Sequence, residues 1–261
     1  MYNNKQCAVI GCVHVLPLPG SASYGGDMQE IVRLAVSDAL LYEQNGIDAL
    51  IIENMHDTPY LKGHVEPETT AAMTMVAQAV RSATTVSLGI QILAGANLEA
   101  LGVAVAAGLD FIRVEGFVFA HVADEGLIQA SAASLIRRRA QLHAEPIKIF
   151  ADIKKKHSAH AITGDVSLVE TAHAAEFFKA DGVIVTGSAT GYAPDAAEVR
   201  AVRAATTGSV LVGSGVSADN IDSFRSHCQG LIVGSSLKKD GKWYNHVDAA
   251  RVKGLMERVR V

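Results

Sequence analysis

Short apolar runs recur along the chain, each breaking into a polar group and followed by a stretch of helical spacing. They are Ala8–Val13, Ala49–Ile52, Val86–Ile92, Phe111–Val114, Ile147–Ala151, Gly182–Val185, Val210-Leu-Val-Gly-Ser-Gly-Val216 and Gly230-Leu-Ile-Val-Gly-Ser-Ser236. Continuous runs of Val, Ile and Leu, without alternation, are what strands buried on both faces of a parallel sheet require. Between them the period changes. Asp27 and Glu30 stand in capping-box spacing before Ile31, Leu34, Ala35, Ala39 and Tyr42, which share one helical face, and Asn45-Gly46 ends that helix. Pro67 opens a second helix that runs to about Ser82. Further helices are predicted over Leu98–Ala107, Ser131–His143, Ser167–Lys179, Asp195–Ala205, Ala218–Ser226 and His246–Val259. Two segments fit neither period: an excursion over Phe117–Ala130 and a polar loop over Lys154–His160.

The count is eight strand–helix units with no linker between them, in a chain of 261 residues. An α/β barrel of this kind takes about 250 residues. The expectation is therefore one domain over 1–261, a closed (β/α)8 TIM barrel. An open doubly wound sheet is the alternative, and the absence of a Gly-x-Gly-x-x-Gly after the first run counts against it.

Composition changes this picture little. With 49% hydrophobic and only 5% aromatic residues, the core is aliphatic. A net charge of −4 gives no electrostatic footprint for nucleic acid or an anionic membrane, and no run is long enough to span a bilayer. Cys7, Cys12 and Cys228 show no metal-ligand spacing and, being odd in number, no disulfide framework. A reducing cytoplasmic home is the default. Many barrels self-associate, so a homo-oligomer stands among the expectations.

In such a barrel the chemistry lies at the C-terminal ends of the strands. Those positions hold His14, Glu53, Asn54, Gln91, Asn97, Arg113, Glu115, Asp152, Lys154, Thr186 and Ser214, a polar ring over an apolar sheet. Buried polar groups need partners, so a ring of them is a candidate site. Glu53 is placed to act as a general base, to hold a metal, or to accept from Arg113. Asp152 and Lys154, two apart, are expected on one side of the strand. Lys154 then serves as acid, imine-forming amine or phosphate ligand, unless it belongs to the solvated run that Lys155 and Lys156 continue. His14, ending the first strand, is the histidine best placed for proton transfer. No metal or cofactor is expected. The glycine and hydroxyl breaks, Thr186-Gly187-Ser188, Gly213-Ser214-Gly215 and Gly234-Ser235, suit a phosphate held by backbone N–H groups after the last strands.

The motifs Gly11-Cys-Val-His-Val-Leu-Pro-Leu-Pro-Gly20, Ile51-Ile-Glu-Asn-Met-His-Asp57, Phe150-Ala-Asp-Ile-Lys-Lys-Lys-His157, Val185-Thr-Gly187 and Gly213-Ser-Gly215 resemble the BtpA family, which includes the SgcQ-like proteins. Val15 stands where that family usually has leucine, and Met55-His56 replace its Phe/Tyr-Gly. The resemblance implies a ribulose-phosphate-binding type of barrel and a small phosphorylated partner. The expected activity is isomerase or aldolase/lyase-type acid/base chemistry on a phosphorylated sugar or nucleoside-like metabolite. His14, Glu53, Asp152 and Lys154 are its catalytic candidates, with Asn54, Arg113, Glu115, Thr186, Gly187, Gly213, Ser214, Gly215, Gly234 and Ser235 binding substrate or phosphate. The family's namesake role in photosystem I accumulation implies an alternative, a non-catalytic assembly factor. A metal-dependent hydrolase using Glu53, Asp152 and loop histidines is a third reading.

Overall fold

A computed structural model describes residues 7–187 and 191–260; Ser188, counted above with the strand-six break, lies outside them. The strands, numbered in chain order, are β1 (Ala8–His14), β2 (Ala49–Glu53), β3 (Ser87–Gln91), β4 (Phe111–Val114), β5 (Ala120–Ala123), β6 (Gly126–Gln129), β7 (Lys148–Ile153), β8 (Ser158–Ala159), β9 (Gly182–Thr186), β10 (Ser209–Gly213) and β11 (Gly230–Val233). Eight of them close a barrel in the order β1-β11-β10-β9-β7-β4-β3-β2, every pairing parallel. The helices are α1 (Met28–Gln44), α2 (Pro67–Ala83), α3 (Asn97–Ala107), α4 (Ala132–Gln141), α5 (Leu168–Phe177), α6 (Ala196–Ala205) and α7 (Ala249–Val259). This is the expected α/β barrel, and the predicted β10 and β11 are its seventh and eighth strands.

Because successive side chains on a strand point to opposite faces, each apolar run divides between two cores. Val9, Val13, Leu50, Ile52, Leu88, Ile90, Ile149, Val183, Val212 and Leu231 join the helix faces in one continuous layer. Ile10, Cys12, Ala49, Ile51, Phe111, Phe150, Ile184, Leu211 and Ile232 fill the barrel itself. Gly89 is fixed by that filling, since a Cβ there would stand 2.2 Å from the Phe111 ring.

Three segments depart from the expected pattern. The Phe117–Ala130 excursion contains the hairpin β5–β6, which pairs with β8 as a three-stranded antiparallel sheet beside the barrel end. Its apolar content is too thin for a barrel strand, and Lys155, paired to Glu115 at 3.1 Å and Glu125 at 3.9 Å, ties it down. No helix forms over Ala218–Ser226, only a 3-10 turn at Ile221–Ser223. Asn220 explains the difference: its side chain accepts from Ser217 N at 2.9 Å and donates to Gly215 O at 2.8 Å, bonds that compete with helix hydrogen bonding. The last helix begins at Ala249 rather than His246, capped by Asp248, which accepts from Ala250 N and Arg251 N.

In the side sheet, His121 is 6% exposed and its Nε2 has no hydrogen-bond partner among the described residues. Burial, then the charges of Lys155 and His160, push its imidazole down from 6.5 to about 4, with Glu115 opposing weakly. Between those values the unfolded chain binds the extra proton, so stability is full above 6.5 and falls as pH falls towards 4. His121→Leu is expected to flatten that slope by on the order of 2 kcal/mol, read as the difference between native and variant urea-unfolding free energies across the window. Parallel curves for the two proteins would count against His121 as its source.

Candidate active site at the C-terminal end of the barrel

Two residues beyond each inward apolar side chain, the same face of the strand reaches the barrel mouth. Ile10 and Cys12 lead to His14, Ile51 to Glu53, Phe111 to Arg113, Phe150 to Asp152, Ile184 to Thr186, Leu211 to Gly213 and Ile232 to Gly234. The polar ring is thus the last inward layer of the barrel. It borders a cavity of about 410 Å3 lined by, among others, Cys12, His14, Glu53, Arg113, Lys156, Ser214, Gly215, Gly234, Ser235, Ser236, Trp243 and Arg251.

Arg113 is the centre of the ring. Its Nε donates to Asp152 Oδ2 at 3.0 Å and its Nη2 to Asp152 Oδ1 at 3.2 Å, a two-pronged pair. Its Nη1 donates to Glu53 Oε1 at 3.2 Å. Burial opposes its charge, but Asp152 and Glu53 hold the guanidinium above its usual range. Burial pushes the Glu53 carboxyl up, against the pull of Arg113 and Lys156. Burial, then Lys238, drives the His14 imidazole well down, although its Nδ1 bonds the Trp243 carbonyl at 2.8 Å. Burial, then Arg113, pushes the Lys156 ammonium down, against the pull of Glu53 and Asp152.

The loops after β10 and β11 form the opposite wall. Ser214 and Gly215 stand at φ +70° and +65°, and Ser236 Oγ donates to Val216 O at 2.7 Å, linking the two loops. Arg251, in the first turn of α7, donates to Ser236 O at 3.3 Å and faces the same cavity. Gly213 and Gly234 act by leaving space. A Cβ on Gly213 would meet Ile184 Cγ2 at 3.0 Å and Thr186 Cγ2 at 3.3 Å, and one on Gly234 would meet His14 Nε2 at 3.4 Å.

Several predicted site residues stand elsewhere. β7 ends at Ile153, and Lys154, at φ +50°, turns off the strand and donates to Val166 O at 2.7 Å. The two-residue spacing from Asp152 therefore fails there, and Lys156 occupies the cavity instead. Asn54 is a strut between Leu93 N at 2.8 Å and Asp57 Oδ2 at 3.0 Å. Asn97 likewise bonds Glu115 O and Ser131 Oγ. Glu115 is occupied by Lys155 rather than by the cavity. Asp152, fully covered, holds Arg113 and does not line the main cavity. Thr186 points into the barrel, and Gly187 packs against Tyr192 O, 2.0 Å from where a Cβ would sit.

The sequence reading missed Cys12, Lys156, Trp243 and Arg251. Lys156 is one of three consecutive lysines, so no local signal distinguishes it. Cys12 carries a signal in retrospect, since it stands two before His14 on one strand and therefore shares its face. The expectation that no cysteine joins a ligand cluster is corrected: a ligand atom from each of Cys12, His14 and Glu53 lies within 4.8 Å of the others.

A closed parallel eight-stranded barrel with a polar cavity at its strand ends defines a TIM-barrel protein with a candidate site in the usual place. The chain belongs to the BtpA family, whose model matches residues 5–261. It is 46% identical to an uncharacterized mitochondrial protein of Caenorhabditis elegans, covering 99% of this chain and 95% of that one. It is 34% identical to the photosystem I biogenesis protein BtpA of Synechocystis, covering 95% of this chain and 86% of that one. Among solved structures, thiamine phosphate pyrophosphorylase of Pyrococcus furiosus matches with a TM-score of 0.59 at 12% identity, over 98% of this chain and 96% of that one. Phosphoribosylanthranilate isomerase of Thermotoga maritima matches with a TM-score of 0.58 at 12% identity, over 97% of this chain and 98% of that one. These two likenesses are of fold. No described helix is long and apolar enough to cross a membrane.

Proposed function

We propose that this chain is an enzyme acting on a phosphorylated sugar or nucleoside-like metabolite by isomerase or aldolase/lyase-type proton transfer. The observation that carries the reading is the shape of the strand-end cavity: the loops after the seventh and eighth barrel strands, with Ser214, Gly215, Gly234, Ser235 and Arg251, face Glu53, Arg113 and Lys156 across it. The loop side supplies hydroxyls, backbone N–H groups and a guanidinium for a phosphate. The opposite side supplies a carboxylate steadied by Arg113 and an amine whose burial lowers its proton affinity. Lys156 moves a proton, and the positive potential of Arg113 favours the oxyanion or enediolate that results.

A panel of sugar phosphates is the test. A ligand at 100 times its dissociation constant stabilises the fold by about 2.7 kcal/mol, a rise of several degrees in Tm. Arg251→Ala is expected to remove most of that rise while leaving the unliganded Tm nearly unchanged, because its side chain lies at the surface. No rise with any member of a broad panel would count heavily against the reading.

The name of the Synechocystis relative favours a second reading, a non-catalytic assembly factor. It predicts that Lys156→Met leaves cellular function intact, whereas an enzyme loses it. A cytoplasmic location remains the default proposal; the C. elegans relative is named as mitochondrial.

A further inference from the structure

Two lone pairs face each other at the floor of the cavity. His14 Nδ1 lies 2.8 Å from the Trp243 carbonyl oxygen. A carbonyl only accepts, so the ring proton sits on Nδ1 and Nε2 offers a lone pair. That lone pair meets Glu53 Oε2 at 3.6 Å. The other Glu53 oxygen is held by Arg113 at 3.2 Å. A separation of 3.6 Å is too long for a hydrogen bond. It is close to the ~3.3 Å between two ligands at about 2.0–2.1 Å on one tetrahedral ion.

A third donor completes the corner. Cys12 and His14 share the inward face of β1, and His14 is the register partner of Glu53 on β2. Sγ, an imidazole nitrogen and a carboxylate oxygen all fall within 4.8 Å of one another, on rigid strands rather than loops. All three residues line the cavity. Gly234 keeps the corner open, since a Cβ there would stand 3.4 Å from His14 Nε2 and 3.6 Å from Cys12 Sγ.

The geometry points to a mononuclear site for a divalent transition ion, Zn2+ before others, held by Cys12 Sγ, His14 Nε2 and Glu53 Oε2 with a remaining position open to the cavity. Sulfur, nitrogen and oxygen donors together suit zinc, and three protein ligands with an open position are the pattern of catalytic rather than structural zinc. The charges balance: one thiolate, one carboxylate and one neutral imidazole neutralise a dication, and the Cys12 proton leaves to solvent as the ion binds. Arg113 does not repel the ion with a full charge, because Asp152 pairs it in two-pronged fashion. The Trp243 carbonyl fixes the ring of His14, as outer partners of ligating histidines do. The inference needs no sugar phosphate and so stands or falls apart from the proposed function. With an ion in place Glu53 is a ligand, and proton transfer rests on Lys156.

The test uses the full chain, stripped with a chelator and titrated with Zn2+ against a chromogenic chelator, and in parallel with Co2+. One ion per chain is expected, and the Co2+ form should show a thiolate-to-cobalt charge-transfer band. Cys12→Ser should abolish that band and weaken zinc binding by at least roughly tenfold, since even loss of an outer partner costs 10–100-fold. His14→Gln should weaken it similarly. Cys7→Ser with Cys228→Ser, which removes the other two thiols, should leave the band and the stoichiometry intact. Circular dichroism confirms that each variant is folded. Absence of saturable binding, or binding that survives Cys12→Ser and His14→Gln in folded protein, overturns the proposal.

Discussion

Replacing Arg113 by methionine is expected to destabilise the protein by about 3–5 kcal/mol, the usual cost of removing one partner from a buried ion pair. In a chain of this size that is a fall in Tm of roughly 6–20 °C. The reason lies in what is left behind. Asp152 has a fully covered side chain and Glu53 is 5% exposed. Without the guanidinium both must stay charged without compensation or take up protons at neutral pH. Most of the loss comes from stranded carboxylates, so the loss is recoverable. Arg113→Met combined with Asp152→Asn should regain part of it, a coupling measurable in a double-mutant cycle of urea unfolding. Glu53→Gln alone should cost far less, because Arg113 remains held by Asp152 through two hydrogen bonds. A native-like midpoint for Arg113→Met would mean that water, not the guanidinium, compensates these groups.

The second large effect is expected at Gly215. It stands at φ +65°, and a Cβ there would lie 2.1 Å from Ala193 N and 2.2 Å from Tyr192 C. Both obstacles are backbone, so no side chain can rotate away. Overpacking costs about 1–3 kcal/mol and a left-handed alanine about 1 kcal/mol or more, so Gly215→Ala should lose roughly 2–4 kcal/mol. It should also displace the 191–193 segment from the loop after β10 and so remove the thermal response to sugar phosphates. Gly102 provides the contrast. It lies inside α3 with nothing within 4 Å of where a Cβ would sit, so Gly102→Ala should stabilise by about 0.5–1 kcal/mol. Equal behaviour of the two variants in urea unfolding would show that the close approach at Gly215 is relieved at little cost.

Gly215 and Lys154 mark two different limits of what the chain reveals on its own. That a glycine is required after β10 is legible, because an apolar run breaking into Gly-Ser-Gly signals a strand end and a turn. The neighbour that makes it necessary is not. Gly213 makes room beside Ile184 and Thr186, and Gly187 and Gly215 admit the backbone of Tyr192 and Ala193. Close approach between distant segments leaves no local trace. Lys154 fails for a different reason. Period-two spacing from Asp152 holds only while the strand continues, and one left-handed residue past Ile153 turns the side chain outward. Lys156, two residues on, then reaches the cavity.

The sequence by itself determined the architecture and the composition of the ring. Eight aliphatic runs alternating with amphipathic stretches admit few solutions other than a closed parallel barrel. The residue that ends each run on the inward face must then stand at the barrel mouth, because alternation is a local property of extended backbone. His14, Glu53, Arg113 and Asp152 follow from that alone. Only the tertiary structure decided which of these groups pair and which remain available. Asp152 is spent on Arg113, Glu115 on Lys155 and Asn54 on Leu93 and Asp57. The Trp243 carbonyl, 229 residues from His14, sets which nitrogen of that ring faces Glu53. Such pairings depend on distances across the barrel, fixed by its closure and register, and no short-range pattern encodes them.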